Sequence, residues 1–223
     1  MNVERVVLPA LVRAARDDIG GVPTYVVELE RRLRGRGVDV DVLGYGPTDD
    51  PSTGFSTILD GEAPRGRDLI LALWKRRNTW TFPHDAVVHL QRPDEVLGFL
   101  KGPWPLVVSV HGCHKRTVSM RQGKLAGFVY GVVQRRMSER ADALVFETHQ
   151  DHDAYLAVHP EVRDKVHLLP IGIDRDRFSP GDQMQSRCEL GLPQGVKAIA
   201  YLGRLEKEKN VTALVEAMRQ IPD

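Results

Sequence analysis

Gly20-Gly21-Val22-Pro23-Thr24-Tyr25-Val26-Val27-Glu28-Leu29-Glu30-Arg31-Arg32-Leu33-Arg34-Gly35-Arg36-Gly37-Val38-Asp39-Val40 is the stretch that decides the fold. Val22, Tyr25, Val26, Leu29 and Leu33 recur at helical period and form one apolar stripe. Pro23 sits at the first helical turn, where its missing N–H leaves no bond unmade. Gly35 and Gly37 stop the helix, and the Val-rich run Val38–Tyr45 follows at once. A matching run, Val3–Leu8, precedes the glycine pair. Strand, glycine turn, helix, turn and strand make a βαβ unit, which requires a parallel sheet.

Working outward, the same alternation continues. Strands are expected near Asp68–Leu73, Ala86–Leu90, Leu106–Val110, Ala143–Phe146, Val166–Leu168 and Lys197–Leu202. Leu106-Val107-Val108-Ser109-Val110 has the near-continuous apolar character of a strand covered on both faces. Helices are expected over Lys124–Arg140, with Leu125, Phe128, Val129, Val132, Val133 and Met137 inward, and over Gln150–Val158, Met184–Leu190 and Val211–Gln220. Pro47–Arg67 reads as a surface excursion rich in Gly, Pro and Asp. A similar stretch, Pro170–Asp182, marks a linker. The expected class is α/β: a Rossmann-like parallel sheet with helices on both faces over residues 1–178, then the first elements of a second such domain over 179–223. That last segment is too short to enclose a core of its own.

Composition narrows the function classes. A formal net charge of +1 over 223 residues gives no global field to attract nucleic acid, and no nucleic-acid partner is expected. The hydrophobic share, 42%, supports a sizeable core, and 27% charged residues suit a soluble chain. Cys113 and Cys188 lie too far apart to form a framework, which fits a reducing cytoplasm. No apolar run follows Met1, so no signal peptide is expected, and none reaches the roughly 18 to 20 residues that span a bilayer.

Three motifs carry candidate chemistry. Gly20 and Gly21, between the first strand and helix, allow close approach of a ligand to the backbone, and the helix N-terminus offers free N–H groups to a phosphate; a plain tight turn is the alternative. His111 follows the strand Leu106–Val110, on the edge of a parallel sheet where ligands bind; taken alone it reads rather as a capping or packing histidine. In Gly203-Arg204-Leu205-Glu206-Lys207-Glu208-Lys209, Arg204 and Lys209 place two cations after a strand, suited to a diphosphate, although charge runs are commonly just solvated turns. After the strand ending at Leu90, Gln91, Arg92 and Asp94 suit sugar hydroxyls or a phosphate, with Asp94 placed to cap the next helix. His111/His114 and His149/His152 are both H-x-x-H pairs, but neither has a helical H-E-x-x-H context and no metal site is expected.

In this order the motifs resemble glycosyltransferase family 4, the retaining group 1 transferases of GT-B fold. The glycine pair is similar to the family's first loop, Arg34-Gly35-Arg36-Gly37-Val38 to its first helix end, and Pro170-Ile171-Gly172-Ile173-Asp174-Arg175-Asp176-Arg177-Phe178 to its P-N-G-V-D-x-x-x-F linker, with Ile171 in place of asparagine. Gly203–Lys209 is similar to G-R-L-x-x-x-K. The resemblance covers almost the whole chain. It implies a nucleotide-diphosphate sugar as donor substrate, no cofactor and no essential metal, and transfer with retention. It also implies donor-phosphate binding by Gly20, Gly21, Arg204 and Lys209, a catalytic role near the transferred sugar for His111, and a saccharide or lipid-linked acceptor held on the N-terminal side, with Gln91 and Arg92 as acceptor-binding candidates. The family's E-x7-E motif, whose glutamates hold the donor sugar and ribose, is missing, so truncation and weak or absent activity are expected. A non-catalytic acceptor- or partner-binding module and an epimerase of the same architecture are the alternatives.

One further stretch suggests an anionic membrane as a peripheral partner. Lys115, Arg116, Arg121, Lys124, Arg135, Arg136 and Arg140 face a single acid, Glu139, beside an apolar helix. Each basic residue near an anionic surface adds about 1 kcal/mol. Trp80, Phe82 and Trp104 are candidate interfacial anchors, and a solvated helix face is the alternative.

Overall fold

A computed structural model of the protein describes residues 3–17, 20–47, 53–61, 64–112, 123–203, 205 and 209–220. Arg204, Glu206–Glu208, Asp18, Ile19 and the stretch 113–122, with Cys113, His114, Lys115, Arg116 and Arg121, lie outside the described residues. The chain divides into two compact units, Met1–Gly172 and Ile173–Asp223.

In the first unit the elements run β1 (Arg5–Arg13), α1 (Gly21–Arg34), β2 (Asp39–Tyr45), β3 (Phe55–Leu59), α2 (Gly66–Arg76), β4 (Val87–Leu90), a 3₁₀ helix (Pro93–Gly98), β5 (Leu106–Val110), α3 (Lys124–Arg140), β6 (Ala143–Phe146), α4 (His149–Val158), a second 3₁₀ helix (Pro160–Lys165) and β7 (Val166–Leu168). All seven strands join one sheet in the order β3-β2-β1-β4-β5-β6-β7, every pairing parallel. The order reverses between β1 and β4. In an open parallel sheet that reversal opens a crevice beyond the carboxyl ends of the strands.

Strand periodicity builds two cores from one sheet. Val6, Leu8, Ala10 and Val12 of β1 join Val40, Val42 and Val26 of α1 in one core. Val7 points the other way, into a larger core with Leu69 and Leu73 of α2, Val96, Phe99 and Met137 of α3. Inter-strand alternation therefore covers both faces, as the βαβ reading requires.

Five local expectations are corrected. Asp68–Leu73 is not a strand but the body of α2. Its Leu69, Ala72 and Leu73 are buried at helical spacing while Leu71 and Trp74 are exposed, and the Asp68 carboxylate accepts the Arg65 N–H at 2.7 Å to start the helix. Leu and Ala favour helix, and a short apolar run does not declare its own period. The strand beside β2, at one edge of the sheet, is instead β3, inside the stretch that reads as a surface excursion; only Phe55 and Ile58 of it are buried, so its signal is weak.

The inward face of α3 is also different. Met137 is buried and Val133 packs on the core, but Leu125, Phe128, Val129 and Val132 are exposed, and Gly127, Tyr130, Gln134 and Ser138 turn inward instead. Ser138 Oγ hydrogen-bonds Tyr155 of α4 at 2.5 Å, and this polar contact helps fix the rotation of the helix. Trp80, Phe82 and Trp104 are packing residues rather than anchors. Trp80 stacks on Phe82 and Phe99, and the indole N–H groups of Trp80 and Trp104 donate to Gly98 O and Phe82 O.

The second unit contains α5 (Gln183–Glu189) and α6 (Val211–Met218) among its described residues. Lys197–Leu202 forms no strand. A strand is defined by its ladder to a neighbour, and among the described residues of this unit no strand is present to pair with it.

Candidate functional site

The β1–α1 connection is held by an ionic clamp. Arg16, at φ 59°, forks onto Glu30 of α1 with contacts of 2.8 and 2.7 Å and lies over the Phe55 ring. Glu30 is buried, so this pair fixes the loop against the helix it leads into. Gly20 then caps α1 at φ 153°, a region that favours glycine, and its carbonyl accepts the Thr24 N–H. The N-terminus of α1 has no side-chain cap and no acid in its first turn. A Cβ on Gly21 would meet no atom within 4 Å. Space and unmatched N–H groups therefore coincide where an anion is favoured.

Beyond β4 and β5 the side chains interlock. Gln91 is fully buried; its amide N–H donates to His89 O at 3.2 Å, which turns Oε1 toward His111 Nε2 at 3.1 Å. The turn carrying Gln91 is closed by Glu95, whose carboxylate accepts the N–H groups of Gln91 and Arg92 at 2.7 and 3.2 Å. Asp94 does not cap this 3₁₀ helix: it takes the Arg92 guanidinium in a fork at 2.9 and 2.7 Å, and Glu95, one residue on, does the capping. The fork holds Arg92 firmly charged. Burial pushes the Glu95 carboxyl up to about 8 against the pull of its two N–H donors.

His111 is enclosed on several sides. The edge of the ring faces Tyr25 of α1 at a centroid distance of 5.0 Å. Its Nδ1 lies 2.5 Å from Glu147 Oε1, with the two side chains only 11% and 15% exposed. Burial lowers the His111 pKa, and Glu147 opposes that shift. Below it, His89 Nε2 meets Ser109 Oγ at 2.9 Å, and burial with the charge of His111 pushes His89 down to about 4. Tyr25 is raised, chiefly by desolvation, and shares Ser109. Thus α1, β4 and β5 bring Gly20, Gly21, Gln91 and His111 to one edge of the sheet, at its strand-order reversal.

Glu147 was missed by sequence reasoning. Its only signal is register: Val110 pairs with Phe146, so the residues that follow, His111 and Glu147, leave adjacent parallel strands side by side. Near them lies a cavity of about 300 Å³, lined by Val110 and Gly112, which flank His111, and by Phe128, Val132, Tyr155 and Val158. His111 itself does not line it. Lys209 is exposed in the second unit, just before α6, and Arg204 is outside the described residues. Among the described residues, no group of three or more His, Cys, Asp or Glu is gathered as for a metal ion, and no helix is long and apolar enough to cross a membrane.

Residues 19–177 match the family described as Glycosyltransferase Family 4. The chain belongs to that family. It is 28% identical to D-inositol 3-phosphate glycosyltransferase 1 of Catenulispora acidiphila over 95% of this chain and 55% of that protein. The D-inositol 3-phosphate glycosyltransferases of Mycobacteroides abscessus and Nocardiopsis dassonvillei are 22% and 26% identical, over 95% and 90% of this chain and 53% and 52% of theirs. The chain thus spans about half the length of these relatives. Among solved structures, the Anabaena HepE complex with UDP and glucose superposes with a TM-score of 0.59 at 13% identity, covering 99% of this chain and 59% of that one. That likeness is one of fold, and it agrees with the Rossmann-like α/β architecture described above.

Proposed function

We propose that this chain supplies the acceptor-side domain (residues 1–178) and the opening of the donor-binding domain (179–223) of a retaining, metal-independent glycosyltransferase that takes a nucleotide-diphosphate sugar. The observation that carries the reading is the gathering of Gly20, Gly21 and His111 at the crevice of a family-4 sheet, with the uncapped start of α1 beside open space. A departing nucleoside diphosphate accumulates negative charge. In this reading oriented N–H groups at Gly20 and Gly21 stabilise it, and the positive charges of Arg204 and Lys209 are assigned to the same diphosphate by the family motif, so that no divalent ion is needed. His111 stands near the transferred sugar and acceptor, and Gln91 and Arg92 belong to the acceptor side, Gln91 acting through His111.

The acceptor is a saccharide or a lipid-linked one; the names of the relatives make D-inositol 3-phosphate the first to try. A cytoplasmic enzyme in peripheral contact with an anionic membrane is the finer reading. Its support is the outward set Leu125, Phe128, Val129 and Val132 beside the basic residues of α3. Failure to co-sediment with anionic vesicles at low salt removes it.

Calorimetry of a full-length version of the protein with a panel of nucleotide-diphosphate sugars tests the donor reading. Uptake that persists in EDTA and disappears in Gly21→Val supports it, since the added side chain enters open space rather than the core. No uptake of any nucleotide sugar overturns it.

A further inference from the structure

The cavity of about 300 Å³ next to His111 lies between α3 and α4. Its floor is Val110 and Phe146, the last residues of β5 and β6, paired in register and both buried. Phe128 and Val132 of α3 and Tyr155 and Val158 of α4 form its walls. Two small residues, Gly131 on α3 and Ala154 on α4, leave the space between those walls unfilled. Gly112 also borders the cavity, and a Cβ there would meet no atom within 4 Å, so the cavity reaches the strand end that carries His111.

The lining selects the occupant. Its polar members already have partners within the chain: Arg135 pairs with Glu139 at 3.1 Å, Asp151 accepts the Thr148 hydroxyl at 2.8 Å, and His159 meets Glu161 at 3.3 Å. The Tyr155 hydroxyl meets Ser138 at 2.5 Å. A sugar or phosphate seated here would have to compete for those groups or leave its own oxygens unpaired. An apolar guest needs none of them, and it takes the exposed Phe128, Val132 and Val158 out of water. The volume stands at the low end of small-molecule pockets, about 300–1,000 Å³, which suits a hydrocarbon chain and not a protein helix.

We propose that this groove holds a single apolar chain of the acceptor, with the polar head of the same molecule at the strand ends near His111. The proposal rests on the glycosyltransferase reading for the identity of the head and not for the chain. It selects the lipid-linked acceptor over the plain saccharide. It also differs from peripheral contact with a bilayer, which would use the outward Leu125 and Val129 of α3, two exposed residues that do not line the groove.

Calorimetry of the chain with n-alkyl β-glucosides from butyl to decyl, each below its micelle concentration, tests the proposal. The uncharged head removes attraction to basic residues, and glucose alone measures what the head contributes. Affinity is expected to rise about fourfold per added methylene until the groove is full, the effect of burying one CH₂. Ala154→Phe sets a ring between the helices and should weaken decyl glucoside by at least about tenfold. Ala154 is exposed, so the fold should survive, which urea unfolding checks. Val129→Ser, on the outward face, should leave decyl glucoside binding within about twofold, as a surface change does. Affinity independent of chain length, glucose bound as tightly as decyl glucoside, or equal losses in the two variants overturns the proposal. Should Ala154→Phe not fold, the chain-length series and the smaller Ala154→Leu decide the matter. A rising chain-length series together with no nucleotide-sugar uptake would count against the donor reading alone.

Discussion

Replacing Glu95 by glutamine should remove a pH dependence of stability that the fold imposes. Glu95 is 1% exposed, and burial raises its carboxyl from 4.5 to about 8. A carboxyl whose folded pKa is raised contributes stability fully below its unfolded value and loses it as pH climbs through the folded one. At about 1.4 kcal/mol per pH unit, the full span is about 5 kcal/mol. From the same linkage the contribution is about 4 kcal/mol at pH 5 and less than about 1 kcal/mol at pH 8. Wild type should therefore lose about 3 to 4 kcal/mol relative to Glu95→Gln between those values, a difference in which the other titrating groups cancel. Gln keeps an oxygen for the N–H groups of Gln91 and Arg92, so the turn survives the exchange. Urea unfolding followed by the fluorescence of Trp74, Trp80 and Trp104, all in the first unit, measures both proteins through pH 5 to 8.5. A constant difference across that range would refute the reasoning and mean that the two N–H donors keep the carboxylate ionised throughout.

Other perturbations test the scaffold. Arg16→Ala strips the fork from buried Glu30 and leaves it Arg34 at 3.3 Å; a loss of about 3 kcal/mol is expected by chemical denaturation. Gly44→Ala sets a Cβ against Val12 O and within 2.7 Å of the Phe55 ring, where β2 has no room to move, and should lower the melting temperature by an amount equivalent to at least about 2 kcal/mol. On α3, Met137→Ala should destabilise by about 2–5 kcal/mol, whereas Phe128→Ser, on a side chain 68% exposed, should stay within about 0.5 kcal/mol. Equal losses for the two would mean that the outward rotation of α3 is incorrect.

The sequence by itself determined the parallel α/β class, because βαβ connectivity, an N-terminal proline and terminal glycines act locally and are visible in twenty consecutive residues. It also placed Gly20, Gly21, His111 and Gln91 at the carboxyl edge of the sheet, since that is where the residues that follow a parallel strand emerge. It failed at Asp68–Leu73, where six apolar-rich residues carry no period long enough to separate helix from strand, and at Phe55–Leu59, where an edge strand buries too little to announce itself. The face of α3 was undetermined because apolar residues occupy more than one side of that helix. Its rotation was settled by Met137 in the core and by the bond from Ser138 to Tyr155, a residue on another helix. The same holds for chemistry. That His111 follows β5 at the sheet's carboxyl edge is a matter of order along the chain; that it meets Glu147 and Gln91 depends on the register of β5 on β6 and on burial, and these arise only when distant segments are brought into contact away from water.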